Sequence, residues 1–251
     1  MPPWMAPPLT PEAARDANPV WYHSIDLGPG VATTGATDFR HVAPRVLGDL
    51  RGVRALDVGT FDGFWAFAME DAGADVVAID LEHFSQTQLP PLRRAALEAR
   101  AAAWGVELGR GFRLAAEARG SRVRRVPCDV MALDAERIGG PADLALVGAL
   151  LLHQRDPVGA LERVRGALRP GGRLLLVEWC SVAATLRFPR RPVADFQADR
   201  TDFNWWTPNL AALHAWARAA GFRGPRLRRL VRSRGRDRHQ AGPYAVIEAR
   251  A

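Results

Sequence analysis

The chain has 251 residues, 48% of them hydrophobic and 24% charged, which suits one folded domain of moderate size and excludes a disordered or collagen-like chain. Its net charge is +7, but every Lys/Arg-type cation is an arginine; such an arginine- and alanine-rich composition can follow from coding bias, which weakens the case for a nucleic-acid partner. The longest apolar run, Leu144 to Leu152, is broken by Gly148 and is too short to span a bilayer, and no secretory leader is expected. Cys128 and Cys180 have no partner at metal-ligand spacing, so no metal, no membrane and a reducing cytoplasm are expected.

Residues 1–19 hold six prolines and little periodicity, and read as an extended or disordered arm. Residues 20–251 read as one domain. In it, Trp21 to Leu27 sets two aromatics and a histidine beside a glycine-rich turn, and Asp38 to Leu50 reads as a helix, so 20–52 forms an N-terminal lid and helix. Arg54 to Val58 is a strand, Phe64 to Ala72 a helix, and Val76 to Asp80 a second strand. Ser85 to Arg119 is rich in Ala and Arg at helical intervals and breaks near Gly105 to Gly111, giving a helical insertion within 82–122.

A third strand over Val123 to Val126 ends at Cys128-Asp129, and Leu144 to Gly148 is a fourth strand buried on both faces. The helix Val158 to Leu168 stops at Arg169-Pro170-Gly171-Gly172, and Arg173 to Glu178 is a fifth strand. A helix over Asn209 to Ala220 ends at Gly221. Apolar runs near Leu227 to Val231 and Tyr244 to Glu248 close the chain as an antiparallel edge pair. This alternation predicts an α/β fold: a mostly parallel seven-stranded sheet in a three-layer sandwich.

The run Leu56-Asp57-Val58-Gly59-Thr60-Phe61-Asp62-Gly63 carries the functional signal. A dinucleotide loop needs Gly-x-Gly-x-x-Gly so that backbone N–H groups can approach a pyrophosphate. Here Phe61 stands at the second glycine position, and Asp57 and Asp62 would repel a phosphate. Carboxylates suit a cationic ligand instead, through charge-assisted hydrogen bonds. S-adenosylmethionine carries an ammonium and a sulfonium and no phosphate. Asp80, at the tip of the second strand, stands where ribose hydroxyls are held.

These residues resemble class I S-adenosylmethionine-dependent methyltransferases, with a Rossmann-like sheet. Together with Trp21-Tyr22-His23-Ser24-Ile25-Asp26-Leu27, Leu150 to Pro157 and Asn204-Trp205-Trp206-Thr207-Pro208-Asn209, they are similar to the tRNA wobble-uridine 5-oxy methyltransferase-like group. The resemblance implies that Asp57, Gly59, Thr60, Phe61 and Gly63 surround the methionine end of the cofactor. Asp80 then holds the ribose, Leu81 packs on the adenine, Asp129 accepts from the adenine amino group beside Val130, and Val147 and Gly148 lie under the sulfonium. The tRNA enzymes carry a tyrosine before the histidine of the fourth-strand loop, where it helps hold a carboxylated cofactor; this chain has Leu152 before His153.

Methyl transfer to a hydroxyl needs a base near pH 7. His153, after the fourth strand, and His23, in the lid, are the two catalytic candidates. Trp21 and Tyr22 would fold over the cofactor, and Asn204, Trp205 and Trp206 would contact the acceptor. A small-molecule acceptor such as a secondary metabolite or sugar is the leading expectation. A tRNA acceptor, which would use a continuous arginine surface from Arg223 to Arg238, is the alternative. A non-catalytic sensor of S-adenosylmethionine is the third.

Overall fold

The computed structural model of the protein describes residues 9–251. The first part of the expected arm lies outside the described residues, and the next part is not an arm. Helix α1 (Pro11–Ala17) starts at Thr10, whose hydroxyl accepts from the Ala13 N–H at 3.2 Å; Pro11 and Glu12 occupy its first turn. Ala14 is fully buried, and the Trp21 indole N–H donates to the Arg15 carbonyl at 2.9 Å. The prolines suggested extension, but Pro11 sits in the first turn of the helix, where a backbone N–H has no partner within the helix.

A small hairpin, β1 (Asp26–Gly28) and β2 (Val31–Ala32), precedes helix α2 (Ala43–Leu47). The helix expected over Asp38 to Leu50 is therefore only five residues long. Pro44 fits a helix only in its first turn, which delays the start, and Gly48 at φ 67° ends it. The strand, turn, helix and strand unit follows as read: β3 (Arg54–Val58), α3 (Phe64–Asp71) and β4 (Asp75–Asp80). The insertion contains α4 (Pro91–Ala103) and α5 (Arg110–Arg119), separated by left-handed glycines at 105 and 109.

Then come β5 (Arg124–Pro127), β6 (Ala142–Gly148), α6 (Pro157–Gly166) and β7 (Leu168–Trp179). Strand β7 starts five residues before the expected Arg173, because pairing with β6 resumes at Leu168 across an irregularity in register. Helix α7 (Val182–Arg187) and the short pair β8 (Ala194–Phe196) and β9 (Trp206–Pro208) precede α8 (Leu210–Ala219), capped by the Asn209 side chain. Strands β10 (Arg223–Val231) and β11 (Tyr244–Arg250) complete the chain.

The main sheet has the order β5-β4-β3-β6-β7-β11-β10, parallel except for β11, which runs antiparallel to both neighbours. Alternate residues of β3 enter two cores. Ala55 joins one with Phe64, Phe67 and Phe112 from α3 and α5; Leu56 and Val58 join the other with Leu161 and Leu213 from α6 and α8. That is the expected three-layer sandwich. The chain leaves β3 in one direction and β6 in the other, so a crevice opens between their carboxyl ends. Among the described residues, no helix is long and apolar enough to cross a membrane.

Residues 21–38 fold tightly against that crevice. Ser24 N–H and Thr37 N–H donate to the carbonyls of Thr37 and Tyr22, both at 2.8 Å. A Cβ at Gly35 would lie 2.2 Å from the His23 carbonyl carbon, so this crossing excludes every other residue. Gly35→Ala is expected to cost about 2 kcal/mol or more in urea unfolding, from forced displacement of backbone. An unchanged midpoint would show that the crossing is loose.

Candidate active site

The tip of β3 is built from backbone. Gly59 N–H and Thr60 N–H donate to the Ile79 carbonyl at 2.9 and 3.1 Å, which turns the chain over β4. Gly59 and Gly63 have φ of 75° and 97°, and Phe61 has φ 50°. A left-handed phenylalanine is strained by about 1–3 kcal/mol. Its N–H is directed to an Asp80 carboxylate oxygen at 2.5 Å, and Leu81 N–H donates to the other at 2.7 Å. The second glycine of a dinucleotide loop is thus replaced by a strained residue whose backbone is held by an acid. Ala149, after β6, has φ 50° as well. Both strained non-glycine residues among those described flank the same crevice.

Asp57 Oδ2 and Thr60 Oγ1 are buried in this tip and make no well-formed hydrogen bond, although the Thr60 hydroxyl and the Ala66 N–H lie close enough to the Asp57 carboxyl to favour its ionised form. Burial pushes the Asp57 carboxyl up to about 7 and also raises Asp80, against its two backbone donors. Asp129 accepts from the Met131 N–H at 2.9 Å through one oxygen, which fixes the carboxylate at the end of β5.

These tips line a half-open cleft with a cavity volume of about 60 Å³. From the expected set, Gly59, Asp80, Leu81, Asp129 and Val130 line it. Gln86, Gln88, Cys128, Leu150 and Gln154 line it too, and sequence reasoning missed them. Gln154 had one available signal: it is a polar residue in the loop directly after β6, two residues beyond the apolar pair Leu151-Leu152.

Asp62 does not face the cleft as a second cofactor acid. One oxygen accepts from the N–H groups of Tyr22 and His23, at 2.9 and 2.8 Å, and the other pairs with His23 Nδ1. The loop's second carboxylate therefore ties the N-terminal segment down. His23 is 7% exposed, stacked on Phe64 and edged by Tyr22, which also packs edge-on to Phe61. The Tyr22 hydroxyl donates to Gln240 Oε1 at 3.2 Å, from the loop between β10 and β11.

Several expected contacts take other roles. Trp21 was expected to fold over the cofactor as part of the lid; it is 6% exposed and buried in the core, with its indole N–H spent on α1. Val147 is wholly buried between Val58 and Leu176, so it supports the cleft floor as core and not by side-chain contact. Gly148 has no room for a Cβ, which would lie 2.8 Å from Trp65 Nε1. Asn204, Trp205 and Trp206 form a brace. Trp205 N–H donates to the Leu152 carbonyl at 2.7 Å and its indole N–H to the Gln88 carbonyl; Arg155 covers its ring at 4.8 Å. Trp206 packs on Phe196 and donates to the Arg155 carbonyl at 3.3 Å, and the Asn204 backbone binds Thr201 Oγ1. The two indoles tie the loop after β6 to the insertion. His153 Nδ1 lies 3.1 Å from the Phe203 carbonyl in this brace, and burial pushes its imidazole below the ordinary range. It is not among the residues lining the cleft.

Glu178, at the tip of β7, is 1% exposed; one oxygen accepts from the N–H groups of Leu150 and Leu151 at 2.8 and 2.9 Å. This holds the strained Ala149 turn in place.

A family model described as a methyltransferase domain matches residues 34–224. The chain belongs to that family. Curated relatives include the tRNA U34 carboxymethyltransferases of Azotobacter vinelandii, 32% identical over 73% of this chain and 49% of the relative, and of Methylococcus capsulatus, 30% identical over 71% and 47%. The chain spans about half the length of the curated relatives it matches. Among solved structures, Burkholderia thailandensis 1,6-didemethyltoxoflavin-N1-methyltransferase, with bound 1,6-didemethyltoxoflavin and S-adenosylhomocysteine, superposes with a TM-score of 0.52 at 24% identity. The match covers 84% of this chain and 77% of that one. The pyocyanin biosynthetic protein PhzM gives 0.53 at 19%, over 84% and 54%. The shared fold is the Rossmann-like methyltransferase sandwich, and its cofactor is S-adenosylmethionine. The residues here fit that group: the Asp80 and Asp129 carboxylates that line the cleft suit ribose and adenine donors, while Asp57 and Thr60 are buried in the loop and are not among the residues lining it.

The buried acids make stability depend on pH. Burial pushes Glu178 up to about 8 from its ordinary 4.5, so the folded protein keeps a proton that the unfolded chain has lost. Stability then falls as pH rises between those values, and Asp57 acts in the same direction up to about 7. Glu178→Gln is expected to flatten the decline between pH 7 and 8 in denaturant titrations of the apo protein. A slope equal to wild type there would contradict the burial argument.

Proposed function

We propose that the chain transfers a methyl group from S-adenosylmethionine to an oxygen of a small-molecule acceptor, with His23 as the base. The single observation carrying this reading is the buried His23–Asp62 pair, set by the cofactor loop itself. The cofactor supplies a methyl group already activated on a sulfonium. Asp80 and Asp129 would hold it, and the braced insertion would keep water from the cleft.

His23 has the remaining chemical task. Asp62 accepts at Nδ1, which places the ring proton there and leaves Nε2 as the basic atom, with no hydrogen bond among the described residues. Nε2 would take the proton of the acceptor hydroxyl as the new carbon–oxygen bond forms. Neither histidine is among the residues lining the cleft, and His153 Nδ1 is likewise engaged, by the Phe203 carbonyl in the brace; His23 is preferred because Asp62 ties it to the cofactor loop.

The enclosure favours an acceptor of small dimensions. Tyr22 is latched to Gln240, and Arg236 N–H and Asp237 N–H donate to the carbonyls of Gly35 and Ala36, both at 3.1 Å. The arginine run expected for RNA is partly spent: Arg226 and Arg228 both pair with Glu248, and Arg223 binds the Ala251 carbonyl. The names of the curated relatives favour the second reading, a tRNA acceptor. Against a carboxylated cofactor stands Leu152, 9% exposed, whose side chain offers no hydrogen bond.

Incubation with methyl-labelled S-adenosylmethionine and either a small-molecule extract or total tRNA tests the acceptor. Label is expected in small molecules; label confined to tRNA would overturn the assignment. With the labelled pool, Asp62→Asn is expected to slow transfer at least about tenfold while affinity for S-adenosylhomocysteine stays within about threefold. Equal loss in both would mean that Asp62 only supports the loop.

A further inference from the structure

Gln154 is 8% exposed and lines the cofactor cleft beside Leu150, yet its Oε1 has no hydrogen-bond partner. Its two neighbours of the same type are spent. Gln88 Oε1 accepts from the Arg155 N–H at 2.9 Å, and Gln86 Oε1 accepts from Glu82 and His83 N–H at 3.0 and 2.8 Å. A buried amide oxygen without a partner is destabilising unless a ligand satisfies it. The position is also rigid. Gln154 N–H donates to the Leu151 carbonyl at 3.2 Å, and Glu178 holds Leu151 in turn.

We infer that Gln154 is a specificity-determining residue for the cofactor: its carboxamide oxygen accepts from the 6-amino group of the adenine, alongside Asp129. This rests on the cleft being the S-adenosylmethionine site. The chemistry follows from what the cleft offers. Asp80 and Asp129 are both acceptors, so the donors they need are ribose hydroxyls and an exocyclic amine. An amide adds what a third carboxylate could not, an acceptor for that amine without a further buried charge, and glutamine is a common reader of adenine edges. The 6-amino group carries two N–H donors, enough for Asp129 and Gln154 together. The loop after β6 thereby senses the base directly, while the turn that carries it is held by Glu178.

The test uses S-adenosylhomocysteine, adenosine and purine riboside, which is adenosine without its 6-amino group, titrated calorimetrically into wild type and Gln154→Met. Methionine keeps length and volume and loses the amide. The variant is expected to bind S-adenosylhomocysteine and adenosine about tenfold more weakly, to bind purine riboside within about twofold of wild type, and to melt within a few degrees of it. Wild-type affinity for adenosine in the variant would overturn the inference. So would equal losses for adenosine and purine riboside, which would mark Gln154 as a packing residue. If wild type itself failed to bind S-adenosylhomocysteine, the cofactor reading would fall and this inference with it; binding by wild type with no change in the variant removes the inference alone.

Discussion

The structure depends on gathering carboxylates at the carboxyl ends of its parallel strands. Asp57, Asp62, Asp80 and Glu178 are all buried or nearly so within one end of the sheet, a costly concentration of like charge. Two of the costs are met internally. Asp62 takes two backbone N–H groups and a histidine, and Glu178 takes two backbone N–H groups and holds a proton up to about pH 8. Asp80 is bonded twice by backbone and keeps lone pairs toward the cleft, and Asp57 keeps an oxygen with no well-formed hydrogen bond. What remains unsatisfied is a pattern of acceptors, and it selects a ligand rich in donors and positive charge.

The same arrangement links the cofactor loop to the rest of the site. Asp62 fixes the N-terminal segment, Asp80 grips the backbone of the strained Phe61, and Glu178 fixes the loop after β6 just beyond the strained Ala149. Cofactor cleft, candidate base and the brace of Trp205 and Trp206 are thus held by one set of strand tips. Rigid positioning of this kind is what methyl transfer asks of a protein, since the leaving group comes ready-made with the cofactor.

Much of this was legible in the sequence because it is local. The strand, turn, helix and strand of 54–80 follow from apolar runs and glycine spacing, and the mostly parallel seven-stranded sheet follows from alternation of elements; the strand order itself came from the structure. Asp80, read from its strand end, and Leu81 and Asp129, expected from the resemblance, line the cleft. The failures have physical causes. Proline content hid α1, although Thr10-Pro11-Glu12 is a helix-start signal. Trp21, Trp205 and Trp206 were read as pocket aromatics, but an indole's orientation depends on distant carbonyls, those of Arg15, Gln88 and Arg155, which no spacing reveals. Asp62 was read as repelling phosphate; its actual partner lies 39 residues earlier in the chain. Gln154 escaped because an unbonded amide is visible only in three dimensions.

Isothermal titration of the wild-type protein with S-adenosylhomocysteine, and in parallel with a nicotinamide dinucleotide, tests the central claim most directly. The account predicts saturable heat with S-adenosylhomocysteine, affinity that strengthens as pH rises from 6 to 8 while Asp57 ionises, and none with the dinucleotide. Binding of the dinucleotide with no heat from S-adenosylhomocysteine would contradict it.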